Sequence, residues 1–330
     1  MNGVDEMIIK TREKPLIILQ LEALVRRLPP EHVKLPRIKE SLSKRNAGYK
    51  GEKAVDYHLE QQPEKDFAIL NDLRLQNDDY YYQLDSILIN SSFIITLEIK
   101  NIAGTLFFDQ NFHQLIRTID GKETAFPDPI VQSQQHVTKL KNWLIKKQFP
   151  DIPIIPLVVI SNTNTLIRTS PENQRLSDIV ININYLPFKI LQIQKLYSKQ
   201  IFNDKDLKKL ARQLKKNHTE QFQPVLPRFE INEKEVLKGV ICPACKTLGM
   251  ERIFGSWCCP RCQTKDKDAH ILALNDYYLL FGQDITNKQL REHICISSPT
   301  LAVRILNSVT HSSSGSTKSK VHKLSLIVKE

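Results

Sequence analysis

Glycine is scarce in this sequence, with ten residues in a chain of 330, and no two of them form a G-x-G pair. The glycine-rich loop of dinucleotide-binding proteins is therefore absent. The sequence also lacks the G-x-x-x-x-G-K-[ST] phosphate loop, the G-x-S-x-G elbow of serine hydrolases and the H-E-x-x-H motif of zinc proteases. These absences argue against several common classes of enzyme.

Long apolar runs are missing as well. No run approaches the roughly 18 residues that span a bilayer, and charges from Asp5 onward replace the apolar core of a signal peptide. We therefore expect a cytoplasmic protein that does not bind membranes.

Basic residues outnumber acidic residues: the sequence contains 47 Lys and Arg and 36 Asp and Glu, for a formal net charge of +11. This excess favours a polyanionic partner, of which nucleic acid is the first to consider.

The length predicts about two domains, or three if one is small. Between residues 47 and 220, a helix, several short β-rich runs and a second helix indicate an α/β or α+β domain. The full expectation, in chain order, is an arm with one helix at 1–46, the α/β domain at 47–220, a linker at 221–240, a cysteine module at 241–265 and a helical region at 266–330.

Two adjacent predicted strands bring charged residues to one face of a sheet. Glu98 and Lys100 interrupt the apolar strand 93–101 and, being two residues apart, share a face. A two-residue turn before this strand sets Asp85 opposite Glu98, with Cβ atoms about 5 Å apart. Facing carboxylates are destabilising unless a cation or a shared proton relieves them, and carboxylate oxygens plus waters suit Mg²⁺. The pattern predicts a divalent-metal site; the alternative is a solvated sheet face with ordinary ion pairs.

The same residues resemble the D…ExK motif of the PD-(D/E)xK nuclease superfamily, and more narrowly the NERD, or nuclease-related, domain. The matching motifs are a G-x-x-G-E helix start at Gly48–Glu52, Q-[IL]-D at Gln83–Asp85, E-x-K-N at Glu98–Asn101 followed by Gly104, and P-x-x-Q at Pro129–Gln132. The resemblance covers about residues 47–145. It implies a restriction-endonuclease-like α/β fold, with a mixed sheet flanked by helices.

The resemblance also implies an activity, that of a nuclease dependent on Mg²⁺ or Mn²⁺. Asp85 and Glu98 would bind the metal, while Lys100 would orient the attacking water and stabilise developing charge. Glu52 is expected to support Lys100 or a second metal, and Gln132 to hold a phosphate or the water. For these two, the alternatives are a glutamate favoured by the helix dipole and an ordinary polar glutamine. The rival function is non-catalytic nucleic-acid binding on a nuclease-like scaffold.

The cysteines form a second motif, since all six lie between 242 and 295. Two C-P-x-C knuckles separated by thirteen residues match tetrahedral zinc. The predicted ligands are Cys242, Cys245, Cys259 and Cys262. The module resembles a zinc ribbon, and a zinc ion with four thiolate ligands would be structural; the alternative is reduced free cysteines. Spacing favours Cys259 over Cys258, and Cys295 is expected to be a small buried hydrophobe.

A basic helix is predicted around residues 205–216. Lys208, Arg212 and Lys215 lie on its charged face, opposite an apolar stripe. Such a face suits binding to phosphates without sequence preference, although a solvated surface is the alternative.

The C-terminal region carries two helix starts. Thr286 begins a capping box and Ser298-Pro299 is a cap followed by proline, which together predict two short helices in a helix-turn-helix-like arrangement. A wing-like hairpin is expected after His311, and Arg304 is a candidate contact to nucleic acid. Generic helical packing is the alternative. The partner that these features favour is nucleic acid, with DNA preferred over RNA.

Overall fold

The computed structural model describes residues 8–62, 67–77, 79–173, 175–316 and 320–327. It contains two compact units: the first unit comprises the residues up to Lys14 together with Asn46–Glu220, and the second comprises Pro15–Arg45 with Gln221–Glu330. The segment 1–46, predicted as one arm, is therefore divided between the units. Its short strand pairs in parallel with a strand of the first unit, whereas the helix that follows belongs to the second.

The bounds of the regular elements are as follows. The strands are β1 (Ile8–Lys10), β2 (Ala68–Asn77), β3 (Tyr80–Ile89), β4 (Ile94–Lys100), β5 (Thr105–Asp109), β6 (Gln114–Ile119), β7 (Lys122–Pro127), β8 (Ile154–Ile160), β9 (Leu166–Thr169), β10 (Val180–Asn182), β11 (Glu251–Ile253), β12 (Ser256–Cys258), β13 (Lys265–Asp266), β14 (Asp284–Thr286), β15 (Thr310–Ser314) and β16 (Val321–Leu324). The α-helices are α1 (Leu16–Arg27), α2 (Leu35–Glu60), α3 (Pro129–Lys146), α4 (Leu176–Ile179), α5 (Leu186–Leu196), α6 (Asp204–Asn217), α7 (Val225–Arg228), α8 (His270–Phe281), α9 (Asn287–Ile294) and α10 (Pro299–Val309).

The centre of the first unit is a six-stranded mixed sheet in the order β1-β2-β3-β4-β8-β10. Strands β2, β3 and β4 are antiparallel neighbours, whereas β4, β8 and β10 run parallel. Helices α3 and α6 cover one face, and α5 with the end of α2 covers the other. Burial of both faces explains why β4 reads as an almost continuous apolar run. The predicted mixed sheet flanked by helices is confirmed.

Alternation along the strands decides which face carries the charged residues. Ile87 and Ile94 pack in the α3 cluster, whereas Leu88 and Ile95 pack in the opposite one. Because side chains alternate along a strand, the even-numbered residues of β4 lie on the α3 side. Glu98 therefore lies beyond the apolar part of that face.

A second, four-stranded sheet in the order β7-β6-β5-β9 completes the first unit. Its apolar residues pack with α3 and with the ends of β8 and β10. The sequence does not predict strand β7, because its residues are mostly exposed and show no apolar alternation.

Helix α2 corrects one expectation. The predicted helix start at Gly48–Glu52 is wrong, because this segment lies inside a helix of 26 residues. Gly51 serves close packing instead: an added Cβ would lie 2.4 Å from Asn101 Cβ and 2.5 Å from Ser161 Oγ. At Gly48 a Cβ would meet nothing within 4 Å. Gly51 thus lets α2 approach the ends of β4 and β8, next to Glu52.

In the second unit, the cysteine module and the C-terminal region share one hydrophobic core. Cys242 and Trp257 belong to the same buried cluster as Leu274, Leu290 and Leu306 of the three helices α8 to α10. The helix starts at Thr286 and Ser298 are confirmed, since both side chains cap their helices. Within the described residues, no helix combines the length and the apolarity needed to cross a bilayer.

Two further residues of the second unit are informative. Cys295 is exposed and adopts a left-handed conformation, with φ 56°, at the end of α9; the expectation that it is buried is wrong.

Arg27 of α1 is fully buried and donates to Asp276 Oδ2 at 2.8 Å and to the Gly239 carbonyl at 2.7 Å. This ion pair fixes α1 to α8.

Candidate active site and metal centres

The register between β3 and β4 is the one predicted from a two-residue turn. Ile89 pairs with Ile94 and Ser86 with Leu97, so the next position along β3, Asp85, faces the position of Glu98. The ladder changes there, because Asp85 Oδ2 accepts a hydrogen bond of 2.8 Å from the Ile99 backbone N–H. The Asp85 carboxylate is thereby held against the end of β4.

Glu98 is the buried centre of this group, with 3% of its surface exposed. Lys100 Nζ donates to Glu98 Oε1 at 2.6 Å and to Gln132 Oε1 at 3.1 Å. Gln132 lies in the first turn of α3, where Asp128 caps the helix by accepting from the Ile130 N–H at 2.8 Å. The structure thus brings Glu98, Lys100 and Gln132 into direct contact.

The second oxygen of Glu98, Oε2, has no hydrogen-bond partner among the described residues. His136, one turn further along α3, places Nδ1 at 3.5 Å from it. Burial, together with the positive charges of Lys139 and Lys100, lowers the pKa of His136 to about 4. The imidazole is neutral at pH 7, so it does not balance the carboxylate charge.

Glu52 lies beside the same group but makes a different contact from the one expected. It pairs with Arg12, whose Nη1 donates to Glu52 Oε2 at 2.8 Å, and no contact with Lys100 is seen among the described residues. The same guanidinium donates from Nε to Asp56 Oδ2 at 3.0 Å, and from Nη2 to the Asp85 carbonyl at 2.8 Å and to Ser86 Oγ at 2.7 Å. Arg12 is therefore a buried hub between α2 and β3.

The carboxylates perturb one another. Burial and the negative charge of Asp85 raise the pKa of both Glu52 and Glu98 to about 7. Burial likewise raises the pKa of Asp85. Arg12 and Lys100 oppose these shifts without cancelling them. Buried acids held close together with raised pKa values are typical of sites that bind a cation or transfer protons.

These properties fit a hard divalent cation. Asp85 and Glu98 offer oxygen ligands, which Mg²⁺ and Mn²⁺ prefer, and the unbonded Glu98 Oε2 is a buried acceptor in need of a partner. Among the described residues, the ligand atoms of three or more His, Cys, Asp or Glu side chains converge only in the cysteine group of the second unit, so Asp85 and Glu98 form a smaller set. A cation held by Asp85 and Glu98 would take two ligands from the protein and complete its shell with water or phosphate oxygens.

A pH-dependent stability should follow from the raised pKa values. Because native Glu98 has a pKa of about 7 against an ordinary 4.5, the native state binds more protons than the unfolded state between these two values. Stability of the Mg²⁺-free protein should fall by about 1 kcal/mol per such carboxyl group between pH 6 and pH 8. Added Mg²⁺ should restore stability at pH 8 and act weakly at pH 6. Thermal unfolding at both pH values checks this; no Mg²⁺-dependent shift at pH 8 contradicts it.

The four predicted cysteine ligands converge in the second unit. Their Sγ atoms lie within 4.8 Å of one another, and the distances Cys242–Cys262 and Cys245–Cys259 are both 3.6 Å. A tetrahedron with Zn–S bonds of about 2.3 Å has edges of about 3.8 Å, so the arrangement fits zinc. Cys258 lies outside the group, as the spacing predicted. The cluster is consistent with a zinc ribbon.

The remaining predicted residues lie on exposed surfaces. Lys208, Arg212 and Lys215 are exposed on α6, which buries Leu210 and Leu214 against the sheet. They belong to an element that supplies none of the site residues described above. Arg304 is exposed on α10 in the second unit.

Sequence reasoning missed Arg12, Asp56 and His136. A histidine one turn after Gln132 on a predicted helix was the available signal for His136. The sequence carries no signal for Arg12, because the residues it contacts lie 40 to 74 positions away along the chain.

Comparison with known proteins identifies one domain. The family model of the nuclease-related domain matches residues 47–161, a segment that contains Asp85, Glu98 and Lys100 and leaves out Arg12. Comparisons with curated proteins and with solved structures give no match.

Proposed function

Given a nuclease-related domain at residues 47–161, we propose that this protein is a divalent-metal-dependent nuclease that hydrolyses phosphodiester bonds in nucleic acid, DNA in preference to RNA. One observation carries the proposal. Buried Glu98 is bonded to Lys100 through one oxygen, is unbonded at the other, and lies at the strand position that faces Asp85.

In this mechanism, Asp85 and Glu98 would hold Mg²⁺ or Mn²⁺, and the bound ion would supply Lewis-acid chemistry by lowering the pKa of a water molecule. Lys100 is fixed by two acceptors, Glu98 and Gln132, so its ammonium group is preorganised. It orients the attacking water and stabilises the negative charge that develops on the phosphate. Gln132 positions Lys100 by accepting its hydrogen bond. Glu52 acts indirectly, because it pairs with Arg12, which in turn donates to the backbone carbonyl of Asp85.

The second unit supports this function with a structural zinc ion. Four thiolates complete a tetrahedral shell, so the ion has no position left for a substrate. We place the protein in the cytosol, where cysteines bind metal more often than they form disulfides. The basic face of α6 adds a surface for phosphates through Lys208, Arg212 and Lys215.

The test is a cleavage assay on linear and circular duplex DNA, single-stranded DNA and RNA, with and without Mg²⁺ or Mn²⁺. Glu98→Gln keeps the shape of the side chain but removes its charge, and Lys100→Met removes the ammonium. Each should lower metal-dependent cleavage at least about a hundredfold, as loss of a preorganised electrostatic group does. The matched control is Lys141→Met, an exposed lysine on the same helix as Gln132, which should cleave like the wild type.

Cleavage that survives Glu98→Gln would refute the proposal. If the wild type binds nucleic acid without cutting it, and both variants bind equally well, the rival function of a binding protein on a nuclease-like scaffold is favoured.

A further inference from the structure

The C-terminal part of the second unit has a specific topology. Its elements follow in the order α8, β14, α9, α10, β15, β16, and the strands form one antiparallel sheet in the order β14-β16-β15. Helices α9 and α10 are joined by the four residues 295–298. This is a helix-turn-helix followed by a hairpin, in which the second helix is the one positioned to enter a DNA groove.

The two faces of α10 differ sharply. Ala302, Ile305 and Leu306 are buried in the core of the unit. Four exposed residues recur at positions i, i+3, i+4 and i+7 and therefore share one face; they are Thr300, Val303, Arg304 and Asn307. Pro299 and Ser308 are exposed beside this face.

The side chains on this exposed face suit the edges of base pairs. Arginine binds the two acceptors of guanine, asparagine pairs with adenine, and the methyl groups of valine and threonine contact that of thymine. Four such residues on an exposed helix face, with neither lysine nor glutamate among them, differ from an ordinary solvated surface.

The C-terminal sequence that contains α10 is also basic. Between Glu292 and Glu330 the sequence contains no Asp or Glu and five Lys or Arg; of these five, Lys323 pairs with Asp284 of β14. Arg252 of strand β11 lies close enough to Arg304 for the two positive charges to interact, and its Nη1 has no hydrogen-bond partner among the described residues. Among the described residues neither guanidinium group forms an ion pair with a carboxylate, and two such groups near each other favour a phosphate-bearing partner.

We propose that α10 is a recognition helix that enters the major groove of duplex DNA and reads a short sequence through Thr300, Val303, Arg304 and Asn307. Arg252 contacts the flanking phosphate backbone. Duplex DNA is the partner that fits, because the major groove of A-form RNA is too deep and narrow for a helix. The inference rests on the proposed function for its class of partner and adds where and how that partner is recognised.

The experiment uses the full chain carrying Glu98→Gln, so that DNA is bound without being cut. Bound duplexes are selected from a pool with a randomised centre, and affinities for the enriched and the random duplex are then compared by fluorescence anisotropy. We expect an enriched sequence. Arg304→Ala and Asn307→Ala should each weaken binding to it by about 5- to 100-fold while changing affinity for random duplex less.

Lys288→Ala is the matched control, because Lys288 is exposed on α9 and lies outside the face of α10 that reads the bases. It should leave the ratio of the two affinities unchanged. Thermal unfolding should show that the α10 variants fold normally, since both side chains are exposed. Absence of an enriched sequence, equal losses on both duplexes, or tighter binding of RNA would overturn the inference.

The two proposals fail separately. If binding to an enriched sequence depends on Arg304 but the wild type never cleaves nucleic acid, the nuclease proposal is wrong and the recognition-helix proposal stands. If the wild type cleaves in a metal-dependent way but sequence-specific binding does not depend on Arg304 or Asn307, the nuclease proposal stands and the recognition-helix proposal is wrong.

Discussion

Replacing Cys245 with serine is expected to abolish zinc binding and to unfold the second unit. The four thiolates lie at tetrahedral distances, and structural zinc contributes about 10–16 kcal/mol in small modules that depend on it. Here Cys242 and Cys259 belong to the same buried cluster as Trp257 and helices α8 to α10. Loss of zinc should therefore reach well beyond the ribbon, with a cost of several kcal/mol.

The two tryptophans of the chain make this prediction measurable. Trp257 is fully buried in the second unit and Trp143 is buried in the first. In a Trp143→Phe background, the fluorescence of Trp257 should report unfolding at a much lower denaturant concentration in Cys245→Ser. Metal analysis should find about one zinc per chain in the wild type and none in this variant.

Cys258→Ser is the matched control, because Cys258 is adjacent to Cys259 yet lies outside the converging group. It should retain zinc and unfold like the wild type. A wild type without zinc, or a Cys245→Ser protein that keeps it, contradicts the assignment.

The features that sequence reasoning predicted well depend on local rules. A two-residue turn fixes the pairing of every residue that follows, so the amino-acid pattern alone is enough to place Asp85 opposite Glu98. The capping box at Thr286 and the cap at Ser298 likewise depend on residues three positions apart. The spacing of the knuckles separates Cys259 from Cys258 because ligand geometry constrains it.

The features that were missed depend on contacts between distant segments. The motif around Gly51 predicts a helix start, whereas the role of this glycine is to admit Asn101 and Ser161 at close range, which local propensity does not encode. Apolar neighbours predict a buried Cys295, yet the left-handed end of α9 turns it outward. In both cases tertiary geometry overrides the local pattern.

Arg12 shows the same limit at the candidate active site. It follows a three-residue strand whose parallel partner lies about 60 residues away in sequence. This pairing places its guanidinium against Glu52, Asp56 and the backbone of Asp85. The segment that matches the nuclease-related domain begins at residue 47, so the chain contributes this cation from outside the matched domain.

Arg12→Gln should destabilise the first unit by about 3–5 kcal/mol, because removal of one partner leaves buried carboxylates without a counter-charge. Arg12→Lys keeps the charge but loses the planar fork that serves four acceptors, so its loss should be intermediate. Denaturant unfolding followed by Trp143 fluorescence in a Trp257→Phe background measures both. The matched control is Lys53→Gln, an exposed cation on α2, which should be neutral.

The pH dependence separates an electrostatic role for Arg12 from simple packing. Glu52 has a pKa of about 7 even beside Arg12, and removing that cation should raise it further. In Arg12→Gln, Glu52 should then be protonated at pH 6 and ionised in part at pH 8, so the loss of stability should be smaller at pH 6. A loss that is equal at both pH values would mean that Arg12 acts by filling space. A protein as stable as Lys53→Gln at pH 8 would show that the carboxylates need no cation from the N-terminal segment.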